Sequence, residues 1–375
     1  MAILPIEAKT QARISCMAKI IYAVAGQGFG HSSRSHLIGQ RFIRAGHDVM
    51  FVGSRSSLLY LKQYFGHRVK EIFGLSFAFQ DGRIDKSETL KRNLLKLPEG
   101  KKQNEELFRR FFEPFEPDLV ISDFEPFSAW WAWRNRVPFI SIDHEHMLTL
   151  CKLQHPTKNW FSRLTASVVT ELHYIGAIAY IIVNFFKAPL RLDSAILAPP
   201  IVRPIVQEVQ SSKDEHILMY STTGENEEQL RDTLGKFSQQ EFRIYGFDKD
   251  TIDENRIFKS RSTEGFLQDL ASARGVIASA GFSLISECMH LKKKMLLLPL
   301  AGQYEQVINA CYAEKLGLAV SCEKLDEQAV ARFLSELGKR MPSHEKILWP
   351  DNQRFFRILQ STLNKLGKPI NIADS

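Results

Sequence analysis

Short apolar runs, rich in β-branched and aromatic residues, alternate along this chain with longer stretches whose apolar positions recur every three or four residues. The runs at 20–25, 48–53, 68–72, 118–123, 138–142 and 180–186 predict strands in the first half. Those at 216–221, 241–246, 256–259, 275–279, 295–299 and 318–321 predict strands in the second. Helical patterns lie between most of them, as in SHLIGQRFIRAG, where Leu37, Phe42 and Ile43 fall close to one face and Gly46 ends the helix. Continuous apolar strands alternating with helices belong to parallel sheets covered on both faces. The rhythm breaks at LAPPIVRPIVQEVQSSKDEH, whose three prolines, two serines and charged end predict a linker. The expected fold class is therefore α/β, with two Rossmann-like domains and ligands at the carboxyl ends of their strands. The expected boundaries are an N-terminal extension over 1–16, a first domain over 17–206, a linker over 207–214, a second domain over 215–340, and C-terminal helices and tail over 341–375.

Composition narrows this picture only slightly. A chain of 375 residues with 44% apolar and 24% charged positions is long enough for two folded domains and too apolar for disorder. Its net charge of +7 favours anionic partners without choosing among them. The cysteines Cys16, Cys151, Cys288, Cys311 and Cys322 are scattered and form no CxxC, which argues for reduced thiols in a cytoplasmic setting and against a zinc site. Residues 1–18 lack the apolar core of a signal peptide, and the apolar stretch Tyr174–Phe186 is too short to cross a bilayer.

The chemistry concentrates in three turns. The first, AVAGQGFGHSSR, follows the first strand and crowds Gly26, Gly28 and Gly30 before His31. Counted from Gly26, the last glycine of GxGxxG falls on His31; counted from Gly28, it falls on Ser33. The second strand ends FVGSR with no acid for an adenosine ribose, so a dinucleotide cofactor is not expected. The second turn, VIASAGFSLISECMH, leaves a strand through Ser279 and Gly281 and enters a helix near Ser283. Free N–H groups and the positive end of a helix suit a diphosphate. Glu287, one turn beyond Ser283, could accept both hydroxyls of a ribose. The third turn, AGQYEQVINA, sets Gln303, Glu305, Gln306 and Asn309 at one strand's carboxyl end, a polar rim suited to a sugar.

In this order and spacing the motifs resemble the GT-B glycosyltransferases, the MurG-like inverting transferases of glycolipids and natural products. The GxGFGH opening and the PPxxRP linker resemble bacterial and archaeal members of unassigned acceptor. The resemblance implies two Rossmann-like domains facing an interdomain cleft and transfer of a sugar from a nucleotide donor, UDP-linked, to an acceptor hydroxyl. It implies His31 as general base. On the donor it implies Gly28, Gly30, Phe266, Ser279, Gly281, Phe282, Ser283, Glu287, Gln303, Glu305, Gln306 and Asn309. Thr222 and Thr223 of YSTTGEN stand where the family has a Gly-rich loop, and Glu305-Gln306 stands where MurG has a Gln-Gln pair. No cofactor and no metal are implied, because the helix start takes the diphosphate. The acceptor could be a sugar, a lipid-linked glycan or a small molecule, and no nucleic-acid partner is implied. Two rivals remain: a nucleotide-sugar epimerase of the same fold, and a non-catalytic nucleotide-sugar sensor.

Other clusters read more than one way. Asp143, His144, Glu145 and His146 end a strand like a metal cluster, but adjacent strand residues face opposite sides. They read as a helper to His31, as acceptor contacts or as loop polarity, and Asp143 is the helper expected. DKD at Asp248–Asp250 spells a metal-binding motif of a different transferase fold but has no second feature of it. Trp130, Trp131 and Trp133, with Phe124 and Phe127, read as helix core or as an acceptor groove. Ile72, Phe73, Leu75, Phe77 and Phe79, followed by Lys86, Lys91, Arg92, Lys96, Lys101 and Lys102, read either as core plus an ordinary helix or as contact with an anionic membrane at the inner face of the plasma membrane.

Overall fold

The computed structural model describes residues 17–26, 28–76, 78–80, 83–156, 176–212, 214–222, 227–343, 345–367 and 370–373. The extension over 1–16, Phe77 and Thr223 lie outside these residues.

The first half builds β1 (Lys19–Val24), β2 (Asp48–Gly53), β3 (Val69–Glu71), a small hairpin of β4 (Ala78–Gln80) and β5 (Arg83–Asp85), then β6 (Leu119–Asp123), β7 (Phe139–Asp143), β8 (Ala179–Val183) and β9 (Ala195–Ala198). Seven of these form one sheet in the order β3-β2-β1-β6-β7-β8-β9, every pair parallel. The second half builds β10 (Ile217–Tyr220), β11 (Phe242–Tyr245), β12 (Thr251–Asp253), β13 (Arg256–Lys259), β14 (Gly275–Ala278), β15 (Lys294–Leu297) and β16 (Ala319–Ser321). They pair in the order β12-β13-β11-β10-β14-β15-β16, antiparallel only at the β12 edge.

The apolar runs become strands because helices bury both their faces: β6, β7 and β8 are buried at every residue. Each sheet winds outward from its first strand in both directions. The order therefore reverses between β1 and β6 and again between β10 and β14. Such reversal points open the crevices in which doubly wound sheets hold ligands. Gly28, at φ 95°, turns the chain from β1 into the Phe29–Arg44 helix in a conformation that costs any other residue.

One feature departs from expectation and a second adds to it. Within the stretch read as linker, Pro204–Glu208 forms one helical turn with its proline at the start, where the missing N–H costs nothing. The C-terminal segment returns to the first sheet. Lys187 donates to the Lys346 carbonyl and Leu348 to that of Phe185, both at 2.8 Å. The Asn352 amide pairs with both backbone groups of Val202 at 2.9 and 3.0 Å. Arg41 lies 4.2 Å over the Phe356 ring and bonds the Ala373 carbonyl at 2.9 Å. No helix among the described residues is long and apolar enough to cross a membrane.

Candidate active site

His31 sits in the first turn of the Phe29–Arg44 helix, directly above the reversal point between β1 and β6. Asp123 ends β6 on the other side of that crevice. Its carboxylate lies 2.7 Å from Nδ1 of His31 and is completely buried. Arg34, one turn along the same helix, donates Nε and Nη2 to it at 2.8 and 2.5 Å, and Ser35 donates at 3.2 Å. The next residue, Phe124, is held at φ 55°, a region costly for a bulky side chain, and its ring stacks on His31 at 6.3 Å. On the outer edge of the imidazole, Nε2 meets Glu145 Oε1 at 3.1 Å.

Burial by itself would lower the basicity of His31, but the charges of Glu145 and Asp123 outweigh it and raise its pKa well above the ordinary value. Burial opposes the charge on Glu145, yet His31 and Arg34 hold that carboxyl well below its usual range. Glu305 behaves in the opposite way: burial and the neighbouring Glu145 push it up to about 8. Two carboxyl groups in one crevice are thus driven apart, one anionic and one neutral near pH 7, a pattern that marks acid–base sites.

Asp143, expected as the helper to His31, does not take that place. Its carboxylate is engaged by the Ser141 hydroxyl, by Nδ1 of His146 at 2.7 Å and by the His146 N–H at 2.9 Å, so it closes its own turn. The side chain next to it crosses to the second domain instead. His144 stacks on Phe282 at 3.9 Å, and its Nε2 lies 2.9 Å from Asn309 Oδ1. Its Nδ1 lies 2.8 Å from the Val183 carbonyl, and burial lowers its pKa.

The second domain contributes its own reversal point. Thr222, just beyond β10, hydrogen-bonds Ser279, just beyond β14, at 2.8 Å. Gly281 caps the Phe282–His290 helix, and Ser283 in its first turn faces the other domain. The two glycine-rich turns meet here: a Cβ on Gly30 would stand 2.3 Å from the Ser283 hydroxyl and would force that hydroxyl to turn away. Gly30, Ser33, Arg34, Arg203, Ser283 and Glu287 line the recess between the turns. Glu287 is buried and receives a two-pronged contact from Arg203, at 2.8 and 3.1 Å. Asn309 donates to the Ala280 carbonyl at 3.1 Å and to Glu305 at 3.2 Å. Gln306 is buried against Gln303 and the Leu300 N–H, at 2.6 and 3.0 Å. Phe266 packs edge-on against Tyr220 and Tyr245.

The other sequence motifs lie elsewhere. Asp250 caps Ser260 at 2.9 Å on an exposed loop, while Asp248 pairs loosely with Arg261 at 3.9 Å. Among the described residues no cluster of three His, Cys, Asp or Glu side chains is set to hold a metal ion. Trp131 is buried while Trp130 and Trp133 are exposed, so the tryptophans split between core and surface.

Asp123, Arg34 and Arg203 were not singled out in the sequence. Asp123 carried a usable signal: it is the acid ending a strand that pairs with the strand before the glycine turn. Arg203 is the arginine of PPxxRP, but nothing near it names its partner Glu287, 84 residues on; Arg34 carried no signal, its partner lying 89 residues away.

Comparison with known proteins agrees with this layout. The model of glycosyl transferase family 1 matches residues 18–338. An uncharacterized glycosyltransferase of Methanosarcina mazei is 31% identical over 34% of this chain, a match spanning about a third (33%) of that protein. One of Methanosarcina acetivorans is 23% identical over 80% of this chain and 84% of its own. Among solved structures, the glycotransferase of kitacinnamycin superposes with a TM-score of 0.61 at 14% identity, covering 95% of this chain and 97% of its own. MurG of Acinetobacter baumannii gives 0.52 at 14% identity, over 86% and 91%. Arabidopsis thaliana UGT89C1 complexed with UDP gives 0.53 at 13% identity, over 85% and 90%. The chain belongs to glycosyl transferase family 1 and carries the two-domain GT-B fold.

Proposed function

We propose that this protein transfers a sugar from a UDP-linked donor to an acceptor hydroxyl with inversion at the anomeric carbon. The observation that carries this reading is the His31–Asp123 pair, set at the reversal point of one sheet and facing a helix start of the other across Gly30 and Ser283. Asp123 fixes the ring so that Nε2 points outward to the acceptor. The acceptor oxygen attacks the anomeric carbon from the side opposite UDP, and Nε2 takes its proton. UDP departs with its new charge at the N-terminus of the Phe282–His290 helix, whose free N–H groups and dipole favour an anion.

Glu287 is assigned to the ribose, with Arg203 keeping it charged and aimed. Glu305 and Gln306 are assigned to the sugar. Pushed up to about 8, Glu305 carries a proton at neutral pH and can donate as well as accept, much as a glutamine would. Glu287→Ala should weaken UDP binding by about 1.5–3 kcal/mol, the range for hydrogen bonds to a charged group, and calorimetry reads that directly. An unaltered affinity in the folded variant removes Glu287 from the site. Activity should also survive EDTA, because the helix start supplies the positive field. Loss on chelation with recovery on Mn²⁺ or Mg²⁺ would assign that field to a metal.

The acceptor is assigned to the face of the first domain beyond His31, with contact to an anionic membrane as part of the same proposal. The Lys86–Leu107 helix exposes Leu94, Leu95 and Leu97 among Lys91, Arg92, Lys96 and Lys101, a pattern suited to resting on acidic headgroups. Leu95→Ser combined with Lys91→Glu should reduce co-sedimentation with anionic liposomes at low salt. Equal sedimentation of both proteins would leave that helix out of any membrane contact.

A further inference from the structure

Both nitrogens of the His31 ring face a carboxylate, Asp123 at 2.7 Å on Nδ1 and Glu145 at 3.1 Å on Nε2. A neutral imidazole has one N–H and can serve only one of them; an imidazolium serves both. The two acids are not equivalent. Asp123 already takes two bonds from Arg34 and one from Ser35, so its charge is largely spent on its own neighbours. Glu145 is held by the His144 N–H at 3.2 Å on its second oxygen, and its side chain is only 13% exposed. The cation it meets at hydrogen-bond distance is His31.

From this geometry we propose that Glu145 is a positioning residue that holds the proton on His31 in the free enzyme, occupying the place at Nε2 that the acceptor hydroxyl must take. The proposal rests on the reading of His31 as general base. It adds the step before catalysis: as the acceptor enters, the Glu145 carboxylate swings off Nε2, the Nε2 proton passes to water, and the freed lone pair receives the proton of the acceptor hydroxyl. No atom is gained or lost beyond that one solvent-bound proton.

The other charged groups around the pair bear on its strength. Arg34 Nη2 lies 3.3 Å from Nδ1 and repels a charged ring, so Asp123 alone gives only part of the stabilisation. Tyr22, buried beneath Asp123, has its phenol pushed far upward by burial and stays neutral. His144 is lowered by burial and gives Glu145 little countercharge, Glu305 across the cleft carries its proton below about 8 and adds little repulsion, and Arg34 supplies a second positive charge behind that of His31. Glu145 and His31 therefore depend on each other.

The test follows the His31 ring proton by NMR titration in the free protein, its resonance identified by its absence in His31→Ala, alongside the pH profile of kcat/KM. The wild-type ring should titrate above 6.5. In Glu145→Gln its midpoint should fall by about 1–3 pH units, the effect of removing one opposite charge at this range. The acid limb of kcat/KM should move down by the same amount, since that limb reports the free enzyme's base. Glu145→Ala gives the same readout if the glutamine variant folds poorly, and Glu145→Asp should recover part of the shift. A ring midpoint that stays in place overturns the proposal. So does loss of turnover at every pH with the midpoint lowered, which would make Glu145 itself the proton acceptor. A midpoint that moves while the acid limb stays fixed identifies a different failure, that of His31 as the base.

Discussion

Replacing His31 with alanine is expected to lower turnover by about 10²–10⁴-fold while donor affinity stays nearly intact, as for loss of a positioned general base. The ring is well suited to that role because its neighbours orient it rather than merely bury it. Nδ1 is fixed by Asp123, Phe124 stacks beside the ring, and Nε2 faces Glu145 at 3.1 Å, on the side proposed for the acceptor. The residues proposed to hold the donor, Ser279, Ser283 and Glu287, lie on the second domain, so the substitution removes none of them. Steady-state kinetics and calorimetry with UDP separate the two quantities. A folded His31→Ala protein with near-normal turnover would return the histidine to a structural part in its turn.

Asp123→Ala is expected to cost more, because it damages the fold and the chemistry together. Asp123 is wholly buried, and Arg34 beside it is nearly so, with its guanidinium aimed at the carboxylate. Removing one member of a buried ion pair leaves the other charge without compensation, at about 3–5 kcal/mol of stability. His31 loses the bond that sets its tautomer, so turnover should fall at least as far as in His31→Ala. Denaturant unfolding and kinetics on the folded fraction measure the two effects. Asp143→Ala provides the contrast, since its bonds run to Ser141 and His146. That change should reduce stability and keep turnover within about tenfold, given that general acid–base roles carry losses of a hundredfold or more. The reverse pattern would restore Asp143 as the partner of the base.

Much of the fold was legible because burial on both faces leaves a plain mark. Strands such as IIYAV in β1 and LVIS in β6 are apolar throughout, and their boundaries were met within a residue or two. The four missed strands lack that mark: β4 and β5 are three residues each and pair only with one another. β9 is only AILA, closed by prolines soon after, and β12 is an edge strand whose Ile252 is 76% exposed. The candidate site was legible wherever its residues are neighbours in sequence, as in the glycine turn before His31 or Glu287 one turn past Ser283. It was illegible where pairing is set by sheet order. His31 and Asp123 meet only because β1 and β6 lie side by side, 92 residues apart in the chain. Asp143 misled for a related reason. A short acid beginning a turn can bond the backbone three residues on, and here the His146 N–H claimed it at 2.9 Å.

Sugar transfer from a UDP-linked donor with inversion can be read from NMR of the products. The protein is incubated with a panel of UDP-sugars, each with and without candidate hydroxyl acceptors, and the released nucleotide and the new anomeric signal are followed. The expected result is UDP release that depends on an acceptor and a product whose anomeric configuration is opposite to that of the donor. A second sugar isomer still attached to UDP, a product that retains the donor's configuration, or UDP-sugar bound and returned unchanged with every acceptor would contradict it.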